Sequence, residues 1–161
     1  MKRVACFFLL ILLLTSCTST RIDRDEKISK YFTMGEAIHS SIAKKKRIKN
    51  IPNWEERANI RYTARRLDAV RKILGRPVIV TSWYRGERLN KAVGGSSTSM
   101  HRRGMAVDIL LKKGKLGREE FEKVRKKLKS FDQLIYYPRR GHLHVGFKQY
   151  RLQERKQVMI R

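Results

Sequence analysis

Three of the four histidines lie in two short segments, HRRGMAVD at residues 101–108 and GHLHV at residues 141–145. Imidazoles grouped with a carboxylate are the side chains from which a metal centre is built. Successive side chains of a strand point to opposite faces. A strand through HLHVGF would therefore turn His142 and His144 one way and Leu143, Val145 and Phe147 the other way, into a core. The segment MAVDILL alternates likewise, with Met105, Val107, Ile109 and Leu111 on one face and Ala106, Asp108 and Leu110 on the other. Asp108 is then a carboxylate in an otherwise apolar strand, where it needs a partner. Two or three imidazoles and one carboxylate, with no thiolate near them, suit a catalytic zinc that keeps one position open for water. The competing reading is a set of scattered surface histidines and an ordinary strand-end aspartate.

The elements that must position these residues follow from periodicity and caps. Thr33 is expected to cap a short helix containing Ala37 and Ile38. Asn53 with Glu56 three residues later resembles a capping box, and Ala64, Leu67, Val70 and Leu74 follow at helical spacing until Gly75 and Pro77 stop the helix. The β-branched run PVIVTSW at residues 77–83 predicts a strand leading into Tyr84, Arg85 and Gly86. Residues 87–93 suit a short helix, and GGSSTS forms a loop that carries the chain to His101. Leu116, Phe121, Val124 and Leu128 mark an amphipathic helix, and residues 132–137 and 142–147 flank a Pro-Arg-Arg-Gly turn as a hairpin. The order predicts one α+β domain with a mainly antiparallel sheet and helices packed on it.

The ends and the composition bound the setting. Residues 1–16 have a basic start, a short apolar run and small residues, which is a secretory signal too short to remain as a spanning anchor. The last four residues of MKRVACFFLLILLLTSC, Leu14-Thr15-Ser16-Cys17, resemble the lipobox of bacterial lipoproteins, so Cys17 is expected to carry lipid and hold the protein on a membrane. Residues 17–30 are then a polar tether, residues 31–150 the domain and residues 151–161 a basic tail. Cys6 falls in the signal and Cys17 at the lipid site, so any metal in the mature domain is held by nitrogen and oxygen. The formal charge is +25, and loss of Lys2 and Arg3 with the signal leaves +23. Such a balance calls for an anionic partner. With an export signal, the acidic peptides and phosphate-bearing polymers of the bacterial envelope fit better than nucleic acid, for which no aromatic platform or recognition helix is evident.

Five segments together are specific: FTMGEA (32–37), TSWYR (81–85), LNKAVGGSSTSMHRRGMAVDI (89–109), DQLI (132–135) and HVGF (144–147). They resemble the zinc D-Ala-D-Ala carboxypeptidases, a superfamily that also includes phage endolysins, vancomycin-resistance dipeptidases and murein endopeptidases. The resemblance implies that His101, Asp108 and His144 bind zinc on the sheet face and that Arg85, after the Ser-x-Tyr motif, stabilises the reacting carbonyl. It places Ser99 near the site as a substrate or supporting residue. Asp108 lies seven residues after His101, up to ~23 Å if the chain were extended, so both can reach one metal only if the chain bends. Gly104 permits that bend.

The general base is where the chain departs from the family. Many relatives carry tryptophan at the position of His142 and an acidic residue soon after DQLI, where this chain has Tyr136 and Tyr137. His142, two residues before His144, is the candidate base, because imidazole exchanges protons near neutral pH. A carboxylate such as Asp132 is the fallback. The implied protein is a monomeric zinc metallopeptidase acting on peptidoglycan stem peptides or cross-links at a bond involving a D-amino acid, anchored through Cys17 on the periplasmic side of the outer membrane if the host is Gram-negative. The sequence leaves carboxypeptidase and endopeptidase open. A non-catalytic murein-binding lipoprotein on the same fold is the alternative.

Overall fold

Helix ends fall where side chains can satisfy the first free N–H groups. The computed structural model describes residues 22–161. In it, Thr33 and Asn53 each accept from the backbone N–H three residues on, while Glu36 and Glu56 accept from the N–H of the two caps. These capping boxes open α1 (Met34–Ile38) and α3 (Trp54–Leu74). Between them lies α2 (Ser41–Lys45). The long helix α3 stops at Gly75, which takes the left-handed conformation with φ 70°.

The rest of the chain builds a sheet and two further helices: β1 (Ile79–Ser82), α4 (Glu87–Ala92), β2 (Ala106–Leu110), α5 (Gly114–Lys127), β3 (Gln133–Tyr137), β4 (His142–Gly146) and β5 (Gln157–Ile160). The strands lie in the order β1-β2-β4-β3-β5. All neighbours are antiparallel except β3 and β5, which run parallel. The fold is thus the expected α+β domain with a mainly antiparallel sheet, mixed only through the parallel pairing of β5.

Alternation divides the sheet into two faces. One carries Val107, Ile109, Leu134, Tyr136, Leu143 and Val145 into a core completed by Ile60, Ala64, Leu67 and Val70 of α3 and Phe121 and Val124 of α5. The other face is not covered by these helices. There the register sets Asp108 beside His144 and His144 beside Ile135, and Gln133, Ile135, Tyr137 and His142 share a cleft with them.

Two expected boundaries are corrected. The described part of the tether belongs to the domain: Ile28 is buried, Met34 and Gly35 donate backbone bonds to Glu26 and Arg24, and Glu26 pairs with Arg61. Its charged residues find partners far along the chain, so polarity there does not mean a free linker. Residues 151–161 are not a tail, because they supply β5 and fasten it to β3. The signal, Cys6, Cys17 and residues 17–21 lie outside the described residues. Among the described residues, no helix is long and apolar enough to cross a membrane.

Candidate active site

The bend that brings His101 to Asp108 is a short 3-10 turn, Met100–Arg103, closed by Gly104 at φ 72°. A Cβ at Gly104 would meet Ile60 Cγ1 at 2.6 Å, so glycine serves both the left-handed conformation and the close approach to α3. The turn and the end of β1 hold each other. Trp83 Nε1 donates to the Gly104 carbonyl at 3.0 Å, the Arg85 N–H donates to the His101 carbonyl at 3.0 Å, and His101 Nδ1 donates to the Trp83 carbonyl at 2.7 Å. Trp83 is fully buried and packs edge-on against Phe32, with ring centroids 5.9 Å apart. The His101 ring is thereby oriented from behind, with Nε2 turned toward the sheet, which is how a metal-binding imidazole is usually fixed.

His101 Nε2, Asp108 Oδ1 and His144 Nδ1 converge. Nδ1 of His144 lies 2.8 Å from Asp108 Oδ1, and His101 Nε2 lies 3.3 Å from each of the other two atoms. Four tetrahedral ligands held about 2.05 Å from a zinc are about 3.3 Å apart along each edge, so the two separations from His101 match such an edge, while the 2.8 Å between His144 and Asp108 is shorter, a hydrogen-bond distance. The donor set of two imidazoles and one carboxylate also suits zinc, and no other group of three His, Cys, Asp or Glu side chains among the described residues converges in this way. Burial opposes the charge on Asp108, but hydrogen bonding and attraction from His101 and His144 outweigh it and hold the carboxyl far below the usual range. Burial also pushes the His101 imidazole below its ordinary value, which keeps it neutral, as a ligand must be.

These three residues lie in a cleft of about 790 Å³. Arg85 lines it, and its Nε is buried without a hydrogen-bond partner among the described residues. Burial lowers the Arg85 pKa and the charge of Asp108 draws it back up. The structure therefore brings the four family-implied residues His101, Asp108, His144 and Arg85 to one cleft. His142 lines the same cleft from β4, between Leu110 of β2 and Tyr137 of β3. Ser99 stands in the wall just before the 3-10 turn. Its hydroxyl makes no hydrogen bond to the converging residues.

Asp132 is corrected as a fallback base. It is fully buried and bonded by Arg155 through both carboxylate oxygens, at 3.0 and 2.6 Å, and it does not line the cleft. Asp108 is the only side-chain carboxylate among the described residues lining the cleft. Trp83 supports the site through its backbone carbonyl and its ring N–H, contacts that carry no residue pattern in the sequence. Gln133, Ile135 and Tyr137 could have been placed on the histidine face from alternation alone, once β3 pairs with β4.

The profile of a protein family described as Peptidase M15 matches residues 30–146, more than half of the chain. No curated protein matches it.

Proposed function

We propose that this chain, which belongs to the peptidase M15 family of zinc-dependent metallopeptidases acting on peptidoglycan, hydrolyses stem peptides or their cross-links at a bond involving a D-amino acid. The observation that carries this reading is the convergence of His101 Nε2, Asp108 Oδ1 and His144 Nδ1 on the open face of the sheet, at the wall of a cleft shared with Arg85 and His142. His101, Asp108 and His144 hold the metal. Bound zinc supplies a Lewis acid that polarises the peptide carbonyl and makes water nucleophilic near neutral pH.

The chain's own groups do the rest. The guanidinium of Arg85 lines the cleft beside the converging residues and stabilises the oxygen that gains negative charge as the carbonyl carbon becomes tetrahedral. Its buried, unpartnered Nε is a donor with unused capacity. The His142 imidazole takes the proton lost by the attacking water and returns it to the amine as the C–N bond breaks. Trp83 and Gly104 keep His101 in its orientation. Ser99 is assigned a place on the substrate side of the wall. We further propose that Cys17 carries lipid and holds the protein at the envelope membrane, a reading supported by the Leu14-Thr15-Ser16-Cys17 lipobox.

Digestion of purified peptidoglycan with mass spectrometry of the products tests the reaction. Release of a terminal D-amino acid marks a carboxypeptidase, and conversion of cross-linked to monomeric muropeptides marks an endopeptidase. Binding to peptidoglycan without any product would replace the enzyme by a murein-binding module.

A further inference from the structure

The family match ends at residue 146, yet the cleft does not. Lys148 and Arg161, from the segment that follows, also line it. That segment is built into the domain rather than laid on its surface. Arg155 binds Asp132 through both its guanidinium and its backbone N–H. Glu154, whose side chain is 1% exposed, binds Arg66 and Ser130. β5 pairs with β3 along its length, and the Arg161 N–H donates to the Tyr136 carbonyl at 2.9 Å.

Two anchors thus fix the positions from which Lys148 and Arg161 reach the cleft. The charges of Arg66 and Arg155 are neutralised by Glu154 and Asp132. Those of Lys148 and Arg161 are in no ion pair among the described residues, and neither is that of Arg140, which enters the cleft from the β3–β4 turn. Asp108, the one side-chain carboxylate lining the cleft among the described residues, is engaged by two imidazoles. A concave surface with uncompensated positive charge draws an anion, and a guanidinium matches the fork of a carboxylate.

We propose that Lys148 and Arg161 form a specificity wall that binds a carboxylate of the substrate peptide flanking the scissile bond, so that this enzyme selects acidic stem peptides over amidated ones. The proposal rests on the peptidase reading above. It deepens it, because these residues touch substrate without taking part in bond cleavage. Replacing either side chain by alanine leaves the backbone bonds of the segment in place and removes only a weak contact of the Arg161 guanidinium with Met159 Sδ at 3.8 Å. Lys148 contributes its carbonyl to Tyr62 and Arg66, and Arg161 its N–H to Tyr136.

The test compares the full chain with its Lys148→Ala/Arg161→Ala double variant on two synthetic stem peptides. One has free carboxylates beside the scissile bond, and the other has them amidated. The expected result is a KM about tenfold or more higher for the variant on the acidic peptide, kcat within about twofold, and no difference between the proteins on the amidated peptide. Zinc content and Tm should match the wild type. Equal changes on both peptides, or none on either, would overturn the wall while leaving the peptidase reading intact. A wild-type protein that cleaves neither peptide yet holds zinc would instead overturn the substrate reading, and the wall with it.

Discussion

At the scale of single residues, the proposed function separates groups that would hold the metal from groups that would act on the substrate. Arg85 belongs to the second kind, and its planar fork cannot be reproduced by the point charge of a lysine. Arg85→Lys should keep fold and zinc but lower the turnover of a stem peptide by about a hundredfold or more, the usual cost of losing a preorganised donor at a developing oxyanion. Unchanged rates would remove Arg85 from the mechanism. His142 is harder to assign from sequence, because the family pattern points elsewhere. Its place is set by the strand: residues two apart share a face and lie ~6.6 Å apart, so His142 reaches the cleft without joining the three converging atoms. His142→Ala should retain stoichiometric zinc while losing about a hundredfold in turnover. Zinc loss as severe as in His144→Ala would make it a ligand, and unchanged turnover would make it a bystander.

At the scale of elements, what could be read in advance was local and what could not was long-range. The capping boxes at Thr33 and Asn53, the stop at Gly75 and the alternation of MAVDILL and HLHVGF each involve residues within a few positions of one another, and each appears in the fold. The approach of His101 to Asp108 was legible for the same reason, since Gly104 bends the chain between them, whereas His144 and Arg85 join them from distant strands and were placed there by the family resemblance. The strand β5 was not. It is four residues long, its neighbours are basic, and its partner β3 lies more than twenty positions away. Residues 22–30 were missed likewise, because Ser29 finds its acceptor at Asp68 and Glu26 its guanidinium at Arg61.

The anchor of β5 is itself testable. Asp132 is buried, and burial alone would raise its pKa. The hydrogen bonds and charge of Arg155 outweigh that and hold it below the usual value. A depressed carboxyl favours the folded state above its unfolded pKa of about 4, and this contribution disappears as pH falls through the lower folded value. Arg155→Ala leaves the buried carboxylate with only the backbone N–H of residue 155 and should cost about 2 kcal/mol at neutral pH, less than a fully buried pair because the Arg155 side chain is half exposed. The gap in Tm between wild type and variant should narrow as pH drops below about 4. A gap that is constant with pH would mean that the ion pair does not secure the strand.

At the scale of the whole molecule, the charge of +23 left after loss of Lys2 and Arg3 and the proposed lipid act together. On that proposal acyl chains would confine the domain to a surface, while the positive field would concentrate acidic wall polymer near the cleft and weaken with salt. Membrane fractionation of the wild type beside Cys17→Ser tests the anchor. The wild type should sediment with membranes and the variant should be released, whereas an exported wild type that is wholly soluble would dismiss the lipid. The cleft faces away from the core formed by α3 and α5, so an anchored domain can present it to the polymer without unfolding any element.

The central claim is that one zinc, held by His101, Asp108 and His144, makes this domain a peptidoglycan peptidase. Titration of zinc into chelator-stripped protein, read as the rate of stem-peptide hydrolysis, tests it most directly. The rate should start near zero, rise linearly and break at one zinc per chain. Asp108→Ala, with one of three protein ligands gone, should show no break at stoichiometric metal. Full activity before zinc is added, or an unchanged break in Asp108→Ala, would contradict the account.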